Sequence, residues 1–322
     1  MHPESAGRVR GGSLGAVLIV VAAVCFGTLG PVSRFAEEAG VGALGLVTWR
    51  SALGAACMAL FLLVRRAARG RSSFALRDLP SADRWILVAT AAANAILNLA
   101  VFAAFLRITI ALALLVFYLY PAYVAVASAL WFGDRLDRTR WLALCVSLAG
   151  VILVVAGAGN LGTLDLIGIG LAFVAGVMQM FYMLAARHWL AAIPGPQTAA
   201  LTMGGAAVFY VLLALGAGQL SAIARPVESA DALWPVLLAG TVGAGIPTVS
   251  YIVGIRLMGA PRAAILATLE PVVGVGLAAL LLREQPGVLQ LVGGLLIVVA
   301  AVLLQVGRGG DLAEHEAVAE PG

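Results

Sequence analysis

The feature that most constrains this chain is a series of ten apolar runs, at about residues 14–35, 41–64, 84–105, 108–132, 140–157, 165–189, 196–217, 232–255, 259–282 and 287–306. Each is close to the ~20 residues a helix needs to cross the hydrocarbon of a bilayer. The runs are continuous rather than alternating, which selects helices over the strands of a membrane barrel. Charged residues make up 11% of the chain, against the ~25% of an ordinary soluble domain. No soluble interior could hide the 62% that is apolar. The expected class is an all-α polytopic membrane protein of ten transmembrane helices, partnered by the lipid bilayer.

Charge then sets orientation. All 20 basic residues are Arg. With both termini on the cytoplasmic side, fifteen of them fall in cytoplasmic segments, four in segments on the other side, and Arg50 within a span. Basic loops stay in the cytoplasm, so both termini are expected there. Because the Arg residues cluster in the loops between spans, the net charge of +4 does not point to nucleic acid as a partner. Cys25, Cys57 and Cys145 lie inside apolar runs and read as small core residues.

The chain also repeats itself. Residues 119–155 align without a gap on residues 269–305, keeping Pro, acid and apolar positions in register. Pro121 and Pro271 are 150 residues apart, and so are Asp134 and Glu284. The expected organisation is a tail at 1–13, a first five-helix repeat at 14–157, a second at 165–306 and a tail at 307–322, both tails disordered. Five spans is an odd number, so the second repeat enters the membrane with opposite orientation. Two inverted repeats about an axis in the membrane plane are how many secondary transporters are built, with the site near the midplane.

Within this frame a few polar residues stand out. Glu270 lies in the middle of the ninth run, directly before Pro271. An ionised side chain at that depth is costly and marks a functional site by default. It is a candidate for binding a substrate ammonium group or for proton coupling; the structural alternative is an acid supporting the Pro271 kink. Tyr120 occupies the equivalent place in the first repeat. Arg50 suits a substrate carboxylate through its two-pronged guanidinium, a pair with Glu270, or a reach back to the interface. Asn94 and Asn98, at i and i+4, share a helix face that points into the bundle, either lining a cavity or joining helices. Gln179 and Tyr182, mid-span in the sixth helix, carry the same two readings. Tyr118 and Tyr123 read as packing or lipid-facing residues, and Thr28, Ser33, Thr248, Ser250 and Tyr251 as weak candidates. Pro121 and Pro271 are candidate hinges. Asp134 and Glu284, ending the fourth and ninth spans, are read as helix-end salt bridges or, more sharply, as gate latches.

Several chemistries find no support. There is no Lys, hence no phosphate-binding loop of the GxxxxGK[ST] type, and no HExxH, CxxC or nucleophile elbow. His2, His188 and His315 form no metal-ligand cluster. No catalytic residue, cofactor or metal site is expected.

These residues carry a resemblance. The pattern GAPRAAILATLEPVVGVGLAALLLREQPGVLQLVGGLLIVVAAVLL, the weaker LYPAYVAVASALWFGDRL and the Arg-bearing TWRSALGAA resemble the EamA-type branch of the drug/metabolite transporter superfamily. The likeness runs over about residues 14–305. It implies a bacterial inner-membrane permease, often an efflux protein for amino acids or related small metabolites, with a central cavity. By motif it carries over to Glu270, Pro271 and Arg50. The function expected is secondary-active transport of a small molecule by alternating access, with protons as a candidate coupling ion and a homodimer left open. The alternatives are a membrane-embedded enzyme or lipid-handling protein using the buried carboxylate, and a sensor or scaffold without a cavity.

Overall fold

A computed structural model describes residues 3–69, 79–133, 138–157, 165–259, 263 and 266–319. Among the described residues ten apolar helices cross the molecule: α1 (Ser13–Glu38), α2 (Ala43–Ala68), α3 (Ser81–Phe105), α4 (Ile110–Phe132), α5 (Trp141–Gly157), α6 (Leu166–His188), α7 (Gly195–Gly216), α8 (Ala230–Met258), α9 (Leu269–Leu282) and α10 (Val288–Leu303). Seven are long enough to span by themselves, and α5, α9 and α10 are shorter. Helical backbone continues from Pro3 into α1 and from α10 on to Ala319, through the tails expected to be disordered.

The second half is inverted relative to the first, and side-chain contacts show it. α1 begins beside the end of α8, where Gly15 faces Leu257 and Met258. α1 ends beside the end of α3, where Nη2 of Arg34 donates to the Ile108 carbonyl at 2.9 Å. α6 begins at that same place, with Gly168 against Arg107 and Ile108. The second half therefore starts on the face where α1 finishes.

A pseudo-two-fold relates the packing. α3 packs on α6 as α8 packs on α1, while α2 meets α7, α4 meets α9 and α5 meets α10 across the axis. At the α5–α10 crossing the symmetry holds residue by residue. A Cβ on Gly150 would fall 2.7 Å from the Gly293 carbonyl oxygen. Shifting each partner by the repeat length gives Ala300 and Ala143, both fully buried in one cluster. Residue i meets j where j meets i, as in an isologous contact. Small side chains let the two backbones approach closely.

Among the described residues three helices are interrupted in mid-membrane and a fourth begins there after a turn, each shortly before a proline. α1 breaks at Thr28, ahead of Pro31, and α4 at Tyr118–Leu119, ahead of Pro121. α8 takes a π-helical turn at Thr241–Gly245, ahead of Pro247, and a turn at Thr268 precedes Pro271 in α9. Proline gives no N–H to the carbonyl four residues back and clashes with it, which weakens the helix at that point. Such interruptions are tolerated at membrane depth only where they are buried in protein or line a cavity.

Candidate functional site

The interruptions surround two adjoining cavities. The larger, about 410 Å³, extends from the midplane toward the face where α1 begins, reaching Gly195 at the start of α7 and Ile255 near the end of α8. The smaller, about 210 Å³, lies toward the opposite face, reaching Gly30 and Phe105. Arg50, Asn98, Tyr118, Tyr120, Gln179 and Glu270 border both. These six form a polar belt between the smaller chamber, rich in Phe and Leu, and the larger one, which also holds Asn94, Tyr182, Thr248 and Tyr251.

Arg50 is 8% exposed and is held by neutral partners. Nη1 donates to Oδ1 of Asn98 at 2.6 Å, and Nη2 to the Gly243 carbonyl at 3.3 Å. The second bond follows from Pro247. In α-helical register Pro247 would serve the Gly243 carbonyl, but it has no N–H, and the guanidinium supplies a donor instead. Nε of Arg50 is buried without a hydrogen-bond partner. The guanidinium carbon stands 5.5 Å from the Phe102 ring centre.

Asn98 passes the connection on. Its Nδ2 donates to the Asn94 carbonyl at 2.7 Å and to Oδ1 of Asn94 at 3.1 Å. Nδ2 of Asn94 reaches the Thr202 carbonyl on α7 at 3.5 Å. The pair thus lines the cavity and joins helices at once, so the two sequence readings are not alternatives here. The Gln179 amide borders both chambers and has no hydrogen-bond partner among the described residues. Tyr182 is hydrogen-bonded to Thr202.

Glu270 stands in the first turn of α9 and shares a hydrogen bond with the Tyr118 hydroxyl. Among the described residues no ion pair joins it to Arg50, although both line the same cavities. The Tyr118 ring centre stands 5.7 Å from that of Tyr120, the rings tilted to each other, and both stand 5.5 Å from Phe117.

The cavity therefore brings together Glu270, Arg50, Asn94, Asn98, Tyr120, Gln179 and Tyr182. Two expectations need correction. Arg50 neither pairs with Glu270 nor reaches the interface; Asn98 and Gly243 hold it. Glu284 makes no helix-end salt bridge among the described residues. Its carboxylate accepts the Ile110 and Ala111 amides at 3.0 and 3.4 Å, capping the start of α4 from the other repeat. Asp134 lies outside the described residues. Tyr118, read from the sequence as packing or lipid-facing, is the partner of Glu270. The available signal was its place in the turn that precedes Pro121. Among the described residues no group of three His, Cys, Asp or Glu comes close enough to hold a metal.

A family model described as the EamA-like transporter family matches residues 13–156 and again 166–306, one match per five-helix half. The chain belongs to the EamA-like transporter family. Two curated relatives are similar over part of their length. The uncharacterized transporter YdfC of Bacillus subtilis (strain 168) is 24% identical over 178 residues, 55% of this chain and 56% of its own. The uncharacterized transporter sll1319 of Synechocystis sp. is 27% identical over 200 residues, 60% of this chain and 58% of its own. The chain thus spans a little over half the length of these relatives. A solved crystal structure superposes on 90% of this chain and 97% of its own with a TM-score of 0.60 at 19% identity, which shows a common fold. By its family and its apolar helices this is a multi-pass membrane protein.

Proposed function

We propose that this EamA-like protein is a secondary-active exporter of small metabolites such as amino acids or related compounds, working by alternating access in the cell inner membrane with both termini cytoplasmic. The observation that carries the proposal is the pair of ionisable side chains, Glu270 and Arg50, that line one midplane cavity and hydrogen-bond neutral groups instead of each other. Buried charges are normally paired. Arg50 therefore keeps capacity for a ligand, and Glu270 for a ligand or a proton.

In this reading Glu270 binds a cationic group or exchanges a proton, and Arg50 orients the substrate through its guanidinium. Asn94, Asn98, Tyr120, Gln179 and Tyr182 line the binding space. The helix restarts at Pro121 and Pro271 act as hinges, and Glu284 latches the second repeat onto α4. Two inverted halves that exchange conformations would open the two chambers in turn.

Flux of labelled metabolites in proteoliposomes, with and without a pH gradient, tests this. Transport is expected to respond to the gradient and to lose that response in Glu270→Gln. Unchanged pH dependence in that variant sinks the coupling role. Absence of flux for every metabolite in a broad panel sinks the transport reading.

A further inference from the structure

A third cavity, about 390 Å³, lies on the outside of the bundle between α9 and α10. We propose that it seats one acyl chain of a phospholipid in the leaflet at the face where α9 ends. This inference does not depend on what the protein transports.

The groove is apolar along its length. Its floor is Leu115 of α4 and Pro271, and its rims are Val272, Leu291 and Leu295, 56%, 53% and 62% exposed. The polar residue in it, Gln290, turns its side-chain carbonyl onto the Gly287 amide at 2.9 Å. The groove follows α9 from Pro271 to Ala279 and α10 from Gln290 to Val298. At 1.5 Å per residue each stretch is about 12 Å long. One leaflet of hydrocarbon is about 15 Å deep. The groove thus starts near the midplane and ends near the interface, as an acyl chain does.

The repeat shows that this is a feature of one half. Gly276 and Gly294 line the groove. The positions 150 residues earlier are Val126 and Leu144, so the first half carries bulk where the second carries none. Gly294 is fixed by packing, since a Cβ there would come within 2.9 Å of Leu115. Gly276 is not: a Cβ there would meet nothing within 4 Å. Its missing side chain leaves the groove open without serving a helix contact. Pro271 lines the groove and Glu270, beside it, lines the cavity, so an acyl chain would brace the restart of α9 from the side opposite the site.

The full chain is reconstituted in phosphatidylcholine vesicles carrying a phospholipid with a photoreactive diazirine in its acyl chain, and labelled peptides are mapped. Labelling is expected to concentrate on Val272, Val275, Leu291 and Leu295. Gly276→Val, which restores the residue type of the first half, should lower it by about tenfold, the factor that 1.4 kcal/mol makes. Its melting temperature should stay that of the wild type. The reciprocal Val126→Gly should raise labelling on α4 and α5. Equal labelling of every lipid-facing helix, or labelling that survives Gly276→Val, overturns the proposal. Disulfide cross-linking between copies of Leu291→Cys would place a second chain in the groove and overturn it as well.

Discussion

α4 and α9 hold equivalent places across the pseudo-two-fold, yet the same positions carry different chemistry. Both turn just before a proline, at Tyr118–Leu119 and at Thr268, and both end in a left-handed residue, Gly133 at φ 71° and Arg283 at φ 56°. Between these marks α4 presents Tyr120 to the cavity and α9 presents Glu270. Backbone breaks and caps, which the path of the chain requires, are kept in both halves. Side chains facing the cavity have diverged. The difference separates what makes the fold from what serves the site.

The largest expected effect bears on that inequality. Glu270→Gln should lower transport about tenfold or more, since removing a buried charge costs the ~1.5–3 kcal/mol of a charge-assisted hydrogen bond. Tyr120→Phe should leave most of the flux. Proteoliposome assays of the two variants decide it; equal losses would make the halves chemically equivalent after all.

Next comes the tie between halves at Arg50. Arg50→Ala strands the Asn98 Oδ1 and the Gly243 carbonyl, and should cost about 2 kcal/mol of stability. Arg50→Lys should recover part of it, because an ammonium keeps the charge but lacks the planar fork. Thermal unfolding in detergent measures both. A midpoint unmoved by Arg50→Ala would mean that α2 and α8 are not held together here.

Arg283 offers a smaller test. Among the described residues it is the one non-glycine at positive φ. A side chain in that region costs about 1–2 kcal/mol. Arg283→Gly, which copies Gly133, should therefore raise the unfolding midpoint, and Gly133→Ala should lower it. No response at either position would mean that the two ends are not equivalent.

The smallest effect separates the two starting helices. Asp165 caps α6 by accepting the Ile167 and Gly168 amides, both at 3.0 Å, and pairs with Arg107 at 2.9 Å. The Gly168 bond, with help from Arg107, holds its carboxyl below the usual 3.8. A depressed folded value means stability that is present above pH ~3.8 and lost as pH falls through the folded pKa. Asp165→Asn keeps a capping oxygen but does not titrate. It should flatten the acid limb of a melting-temperature profile slightly; an unchanged profile would deny the cap a role.

Much of this was legible before any coordinates. The spans were readable because ~20 apolar residues have one use in a bilayer. The inversion was readable because an odd number of spans forces it. The seven cavity residues stand out in the sequence as polar groups at depths where polarity is costly. Less legible were the partners. Tyr118 and Tyr120 differ in sequence by two places, and only the turn before Pro121 sets Tyr118 against Glu270. Glu284 looked like half of a salt bridge, yet the packing of α9 on α4 gives it two backbone amides.

The sequence by itself determined the number of helices, their inversion and the depth of each polar residue, because hydrophobic length and charge are local properties that the membrane reads directly. Tertiary structure alone decided who meets whom. Arg50 takes Asn98 and the Gly243 carbonyl because Pro247 leaves that carbonyl without its helical donor. An orphaned backbone group cannot be seen in composition. It becomes a partner only when another helix brings a donor within 3.3 Å.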